Sequence, residues 1–502
     1  MAIYPIGYDR IVRAWNLPTR PPGIGSAIDT GAKKRRQDRL PDGRTLQFFD
    51  EGYDKGAGLR RDLLFSLRYE GVNLEILSFL FRKTGEEELV SWIREEPLGK
   101  YARKAGFLYE FLTGKTLSVP DTPPAPTVPL LDPALYVTEL PRRSRRWRIE
   151  NNLLGDYDYC PVIRKGNKDG GAIEDLLRER VQALVSGVDA SLLERAASWL
   201  YTRETRSTFG IEGEQPNPSR AERFIRVLVD SQKIDIITKK WLTELQNAIV
   251  SPPLMAQDYR TSQNWIGQSV GYRERIDFLP PAPADLPALM EGWTGFANRI
   301  LTSSFAEDTL AKVAAVSYGF VFLHPYMDGN GRLHRAIIHQ LLSVKGLTPE
   351  GLVLPVSAVM LSKKKEYMHS LEAFSGPLRK LVPADPGNPS WSPPENDPLY
   401  FRYFDATPQA RFLESALLES VKKTLPEEIR FLANRDRVRE RFALSCDWAN
   451  NGSLDLFIDL LIQGKGRLSK NKRKMFKELS DDLLLELEEL FSEEWGKHPE
   501  PG

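Results

Sequence analysis

His324-Pro-Tyr-Met-Asp328-Gly-Asn-Gly-Arg332-Leu-His-Arg335 brings an imidazole, a carboxylate, a glycine-flanked amide and two guanidinium groups into one short stretch. That inventory suits chemistry on a polyphosphate. Gly329 and Gly331 admit backbone conformations barred to other residues, so several N–H groups can turn toward one anion. The apolar residues that follow, Leu333, Ile337, Ile338, Leu341 and Leu342, recur at helical spacing. The loop therefore feeds the start of a helix, where unpaired N–H groups and the helix dipole also favour negative charge. Arg332 and Arg335 share one face of that first turn, and arginine grips phosphate oxygens through two parallel hydrogen bonds. His324 is the natural proton acceptor near neutral pH, and Asp328 a hard oxygen ligand for magnesium.

The stretch resembles the active-site motif of the Fic (Fido) domain protein adenylyltransferase family, His-Pro-Phe-x-Asp/Glu-Gly-Asn-Gly-Arg-x-x-Arg. Every position matches except Tyr326, one aromatic residue for another. Members of that family typically transfer AMP from ATP to a hydroxyl on a target protein. The resemblance implies a mainly α fold: a Fic-type helical core with a small β-hairpin flap, flanked by N-terminal and C-terminal mostly helical domains.

Plainer readings of the same residues fare worse. A glycine-rich turn between two core helices has no use for two arginines, a carboxylate and a histidine together. An EF-hand loop starting at Asp328 would need Gly where Leu333 stands and Glu where His339 stands. Zinc held by His324, His334 and His339 is disfavoured because His334 and His339 straddle helix faces, whereas zinc helices space their ligands four apart. No GxxxxGK[ST] segment occurs, which removes a P-loop site.

At 502 residues the chain exceeds the size at which single cores stop growing, so two or three domains are expected. A formal charge of +1 exerts no global pull toward nucleic acid or anionic membrane. Two cysteines cannot form a disulfide framework, and no apolar run reaches the roughly 18 residues that a membrane span needs. The N-terminus lacks the basic and apolar regions of a signal peptide. A cytoplasmic protein is expected.

The expected division is 1–140, a mostly helical N-terminal domain; 141–385, the catalytic region; and 386–502, a helical C-terminal domain. The first 55 or so residues, rich in Gly, Pro and charge, include the basic run at 33–36, read as a solvated loop. Helical spacing runs from about 58 to 113. Val119–Pro129 is proline-dense and cannot hold a helix. Arg142–Arg148 reads as an exposed charged strand or linker, and the basic segment 465–474 as a solvated face. A proline cluster at 383–394 marks the second boundary. Thr407 reads as a helix cap before Pro408.

Two further constellations support the resemblance. Thr208-Phe-Gly-Ile-Glu212-Gly213 is similar to the family's inhibitory motif, Ser/Thr-x-x-x-Glu-Gly/Asn, which implies that Glu212 pairs with Arg335 where the γ-phosphate belongs. The second, polar and aromatic residues at 259–280 bounded by Gly and Pro, suggests a hairpin. The resemblance makes it the flap, with Ile266, Gly267, Gln268 and Ser269 docking a target strand through main-chain hydrogen bonds. The helix carrying Leu310, Val313, Ala314, Phe320 and Val321 reads as the buried partner of the helix after Arg332.

The resemblance also implies roles. ATP would lie on Gly329, Asn330 and Gly331, with Arg332 on the β-phosphate and Arg335 on the γ-phosphate. Asp328 would hold Mg2+, and His324 would take the proton from a Ser, Thr or Tyr hydroxyl of the target. Self-modification and a homodimer are compatible with this reading; no membrane or nucleic acid partner is called for. Three alternatives stay open: removal of AMP, transfer from another nucleotide, or a nucleotide-sensing regulatory module that binds DNA.

Overall fold

A computed structural model describes residues 2–32, 34–41, 43–166, 170–187, 190–230, 234–270, 273–349, 351–383, 397–446, 448 and 450–496. The chain opens on a small sheet. Its strands are β1 (Ile3–Ile6), β2 (Ile24–Asp29), β3 (Arg36–Arg39) and β4 (Thr45–Phe49), ordered β1-β2-β4-β3, with helix α1 (Tyr8–Ala14) after β1. β2 and β4 run parallel; the outer pairs are antiparallel. Ile6, Ile28, Phe49 and Phe65 form the small core beneath this sheet. The loop expected around residues 34–36 is partly strand, because Arg36–Arg39 pairs with β4 while all its side chains face solvent. Lys33 of that basic run lies outside the described residues.

Helices α2 (Leu59–Phe65), α3 (Leu74–Lys83), α4 (Glu87–Glu95) and α5 (Lys100–Thr113) fill the stretch where helical spacing was read. Asn73 caps α3 by accepting from Ile76 N at 3.0 Å. The proline-dense segment that follows carries β5 (Val128–Pro129), which pairs with β7 (Ile149–Asn151); β6 (Arg142–Ser144) completes the sheet. Arg142 and Arg143 are exposed and ion-paired with Asp156 and Glu150. The first two arginines of this basic stretch are thus solvated and paired, while its Trp147 is buried in the core.

The remainder is helical apart from one hairpin. In order come α6 (Gly170–Ser186), α7 (Ala190–Ile211), α8 (Pro218–Asp230), α9 (Lys239–Ile249), strands β8 (Ile266–Val270) and β9 (Arg273–Phe278), then α10 (Leu286–Thr302), α11 (Thr309–Leu323) and α12 (Asn330–Val344). After them follow α13 (Val356–Ser362), α14 (Lys364–Leu381), α15 (Leu399–Arg402), α16 (Thr407–Glu419), α17 (Leu425–Ser445), α18 (Asn451–Gln463), α19 (Lys470–Arg473) and α20 (Asp481–Gly496). α11 is buried along its whole length. A helix apolar on every face must sit at a centre, and α10, α12 and α16 pack around it. It is the buried partner of α12, as its sequence led one to expect.

Apolar packing is continuous from Tyr8 to Leu425 and crosses residue 140 through Leu130, Tyr136, Trp147 and Ile149. A second cluster, from Val438 to Phe491, belongs to the C-terminal helices alone. The proline cluster at 384–394 lies outside the described residues. Ala406, not Thr407, stands at the cap of α16; the Thr407 hydroxyl instead accepts from Arg164 N at 2.8 Å. Among the described residues no helix is long and apolar enough to cross a membrane.

Candidate active site

α11 ends on His324, whose φ of 49° and ψ of 56° put a non-glycine residue in the left-handed region. That costs about 1 kcal/mol or more, so its surroundings must hold it there. Its N–H closes α11 onto Phe320 O at 3.1 Å. Gly329, at φ 89°, makes a second left-handed turn immediately before α12. The positive φ is what calls for glycine; a Cβ there would also stand a tight 3.0 Å from Val250 Cγ1.

The loop between these turns is tied shut. Asn330 Oδ1 accepts from Tyr326 N at 3.0 Å, and Asn330 Nδ2 donates to Tyr326 O at 2.7 Å. Asn330 thus braces the loop with the side chain expected to steady a phosphate. The buried Tyr326 hydroxyl lies 3.0 Å from Thr243 Oγ1. From α9, Gln246 Nε2 donates to Asp328 O at 3.2 Å.

Two buried cations dominate the electrostatics. The Arg332 and Arg335 side chains are each 2% exposed, and a buried charge survives only with partners. Arg332 forks onto both Asp328 oxygens at 3.0 and 3.1 Å and reaches Glu214 Oε2 at 3.2 Å. It also lies 5.0 Å from the Phe209 ring centre. Arg335 donates to Glu212 Oε1 at 2.7 Å, to Thr208 O at 2.9 Å and to the Thr208 hydroxyl. Burial pushes the Glu212 carboxyl up, but Arg335, then Arg332 and His324, hold it below the usual carboxylate range. Gly213, at φ 75°, turns the chain away beyond α7. A Cβ on Gly331 would stand 2.5 Å from Glu212 Oε1. The second loop glycine is therefore what admits the carboxylate.

His324 Nδ1 lies 3.4 Å from Val321 O. Burial, then the charge of Arg260, lower its imidazole to about 4 against the opposing pull of Glu212 and Asp328. It is neutral at physiological pH.

The structure gathers His324, Asp328, Gly329, Asn330, Gly331, Arg332 and Arg335 around the turn that carries Thr208, Glu212 and Gly213. It also adds residues that the sequence did not single out: Glu214, Arg260, Thr243 and Gln246. No short motif marks these, because each acts through a fold contact. The zinc alternative has no geometry behind it. His334 sits between the Tyr318 and Tyr367 rings, and His339 bonds Glu204 Oε1 at 2.7 Å. Magnesium typically takes one or two carboxylates, with waters and substrate phosphates completing its shell. Asp328, one hard carboxylate 33% exposed beside a helix N-terminus, fits that need.

The expected hairpin is present as β8 and β9, with a register irregularity between Ile266 and Gly267; residues 271–272 lie outside the described set. Gly267 pairs with Ile276, Gln268 with Arg275 and Ser269 with Glu274. Among the described strands β8 pairs only with β9, so its outer edge is open. Trp265, Ile266 and Met327 are exposed near its base, and Asn264 Nδ2 donates to Tyr326 O at 3.2 Å.

The Fic/DOC family model matches residues 236–342. The protein adenylyltransferase Fic of Drosophila persimilis is 26% identical over 278 residues, covering 46% of this chain and 51% of that relative. Its namesake in Drosophila ananassae is 26% identical over 257 residues, 44% of this chain and 48% of the relative. The chain spans about half the length of the curated relatives it matches. A Fic domain containing signaling protein from Bacteroides thetaiotaomicron aligns with a TM-score of 0.37 at 16% identity, covering 52% of this chain and 97% of the other. A Fic family protein from Desulfovibrio desulfuricans aligns with a TM-score of 0.37 at 17% identity, covering 63% and 88%.

Proposed function

We propose that this chain, whose residues 236–342 match the Fic/DOC family model, is a protein adenylyltransferase. It moves AMP from ATP to a Ser, Thr or Tyr hydroxyl of a target protein and is held back by Glu212. One observation carries the reading: a neutral His324 shares a loop with two buried arginines whose charge is met by carboxylates. A polyphosphate can replace those carboxylates.

ATP phosphates take the N-terminus of α12, whose N–H groups before Leu333 point outward from the first turn. Arg332 and Arg335 hold the β- and γ-phosphates once Asp328, Glu214 and Glu212 release them. Asp328 would hold Mg2+, which when bound would supply charge neutralisation to the phosphates. An Nδ1–H directed at Val321 O leaves His324 Nε2 to accept a proton. The arriving phosphates raise the basicity of His324, because nearby negative charge favours the imidazolium. The hydroxyl oxygen bonds to the α-phosphorus, its proton passes to His324, and the bond to the β-phosphate oxygen breaks. Pyrophosphate leaves and AMP stays on the target.

The open edge of β8 aligns the target segment by strand addition. Glu212 restrains the enzyme by occupying Arg335. An ionised Glu212 beside the loop is also placed to orient a water for removal of AMP, which is the second reading. A chain with two cysteines suits a reducing cytoplasm. Purified protein given magnesium and ATP, with lysate proteins as acceptors, tests the proposal: labelled proteins gain about 329 Da, the mass of a bound AMP. ATP binding with no transfer under any condition overturns the transferase reading and leaves removal of AMP or a nucleotide-sensing module.

A further inference from the structure

Arg260 lies on the strap between α9 and the flap, 5% exposed, yet no carboxylate pairs with it among the described residues. Its partners are neutral backbone carbonyls. Nε donates to His324 O at 2.9 Å, Nη2 to Pro281 O at 2.5 Å and Nη1 to Ser262 O at 3.2 Å, while its own N–H donates to Pro325 O at 2.8 Å. Ser262 precedes β8 and Pro281 follows β9. One guanidinium thus binds the backbone of the catalytic turn and both feet of the flap.

A cation at the end of α11 also meets unpaired carbonyls and the negative end of the helix dipole, which a purely structural cap would do. A cap does not need three divergent bonds, nor a buried charge left without a counter-ion. Burial lowers the guanidinium to about 10, so the position carries a cost that a cap role does not explain.

We infer that Arg260 is a positioning residue for AMP transfer, holding His324 in its left-handed turn and fixing the flap at a set distance from it. The base and the target strand then arrive as one unit. Burial first, and after it the charge of Arg260, keep the imidazole neutral. The charged groups facing His324 are Arg260 from the strap, Glu212 from the turn after α7 and Asp328 from the loop; Arg260 alone disfavours the imidazolium. This inference rests on His324 as the base, so its test needs a readout that does not depend on transfer.

Two variants separate fork from charge. Arg260→Lys keeps the charge but cannot fork onto three carbonyls. In a Glu212→Gly background it lowers kcat for protein labelling by about 10- to 100-fold, as a misplacement near 1 Å does, with KM for ATP within about twofold. Arg260→Gln removes the charge. Ring NMR of the histidines then shows the His324 titration midpoint moving up, and the acid limb of the labelling profile moves with it. Unchanged His334 and His339 ring signals report an intact fold. Wild-type kcat in Arg260→Lys, or an unmoved His324 midpoint in Arg260→Gln, overturns the inference. If no form labels anything, the transferase reading fails and the ring titration still decides Arg260.

Discussion

In the proposed reaction Asp328 would carry two duties that exclude each other. Its carboxylate now forks with Arg332, and in the proposed reaction it exchanges that guanidinium for magnesium while Arg332 moves to phosphate. Asp328→Ala should therefore raise the magnesium needed for half-maximal labelling by about tenfold or more, a loss of roughly 1.4 kcal/mol. A magnesium titration of both proteins checks this; superimposed curves would remove Asp328 from the metal site. The motif residues were legible because so many chemically demanding side chains rarely share twelve positions by accident. Asn330, to which the resemblance gives a phosphate, has its side-chain amide bonded to the Tyr326 backbone. Arg260 and Glu214 could not be read. One binds carbonyls, which every residue offers, and the other matters only because the turn after α7 meets α12.

At the scale of elements, periodicity served where side chains alternate between core and water. Helices between 58 and 113 were legible for that reason, whereas α11 and most of α12 are buried on every face and were read from apolar residues recurring at helical spacing. The N-terminal sheet was not: β3 is polar throughout, and the parallel pairing of β2 with β4 is a tertiary fact. The hairpin was foreseen from polar and aromatic residues bounded by Gly and Pro, and its irregularity is explained by Gly267. A Cβ there would meet Arg275 O at 2.3 Å. Gly267→Ala should force the hairpin out of register and lower labelling of targets about tenfold or more, leaving ATP affinity unchanged. Calorimetric ATP binding beside a labelling assay tests this. Equal loss in both would mean that the hairpin supports the nucleotide site and not the target.

The whole molecule stores two imidazoles that resist protonation. Burial lowers His334 from its ordinary 6.5 to about 3, and His324 to about 4. Between those values and pH 6.5 the unfolded chain binds more protons, so stability falls as the solution is acidified. Glu70 acts oppositely: burial raises it to about 8, which costs stability as pH rises above its ordinary 4.5. A difference measurement separates them. His334→Leu should lose about 2 kcal/mol less than wild type between pH 6.5 and 5, at about 1.4 kcal/mol per unit. Parallel thermal-unfolding curves would show that His334 is not the group responsible. The central claim concerns a molecule poised to transfer AMP and restrained by one carboxylate. On the proposed reading, removing Glu212 should free Arg335 and raise the competent population by as much as the pair had opposed it. The most direct measurement follows α-labelled ATP into self and lysate proteins for wild type, Glu212→Gly and Glu212→Gly with His324→Ala. The account predicts a gain in Glu212→Gly that the added His324→Ala cuts by about 10²- to 10⁴-fold. No gain in Glu212→Gly, or a gain that survives the loss of His324, would contradict it.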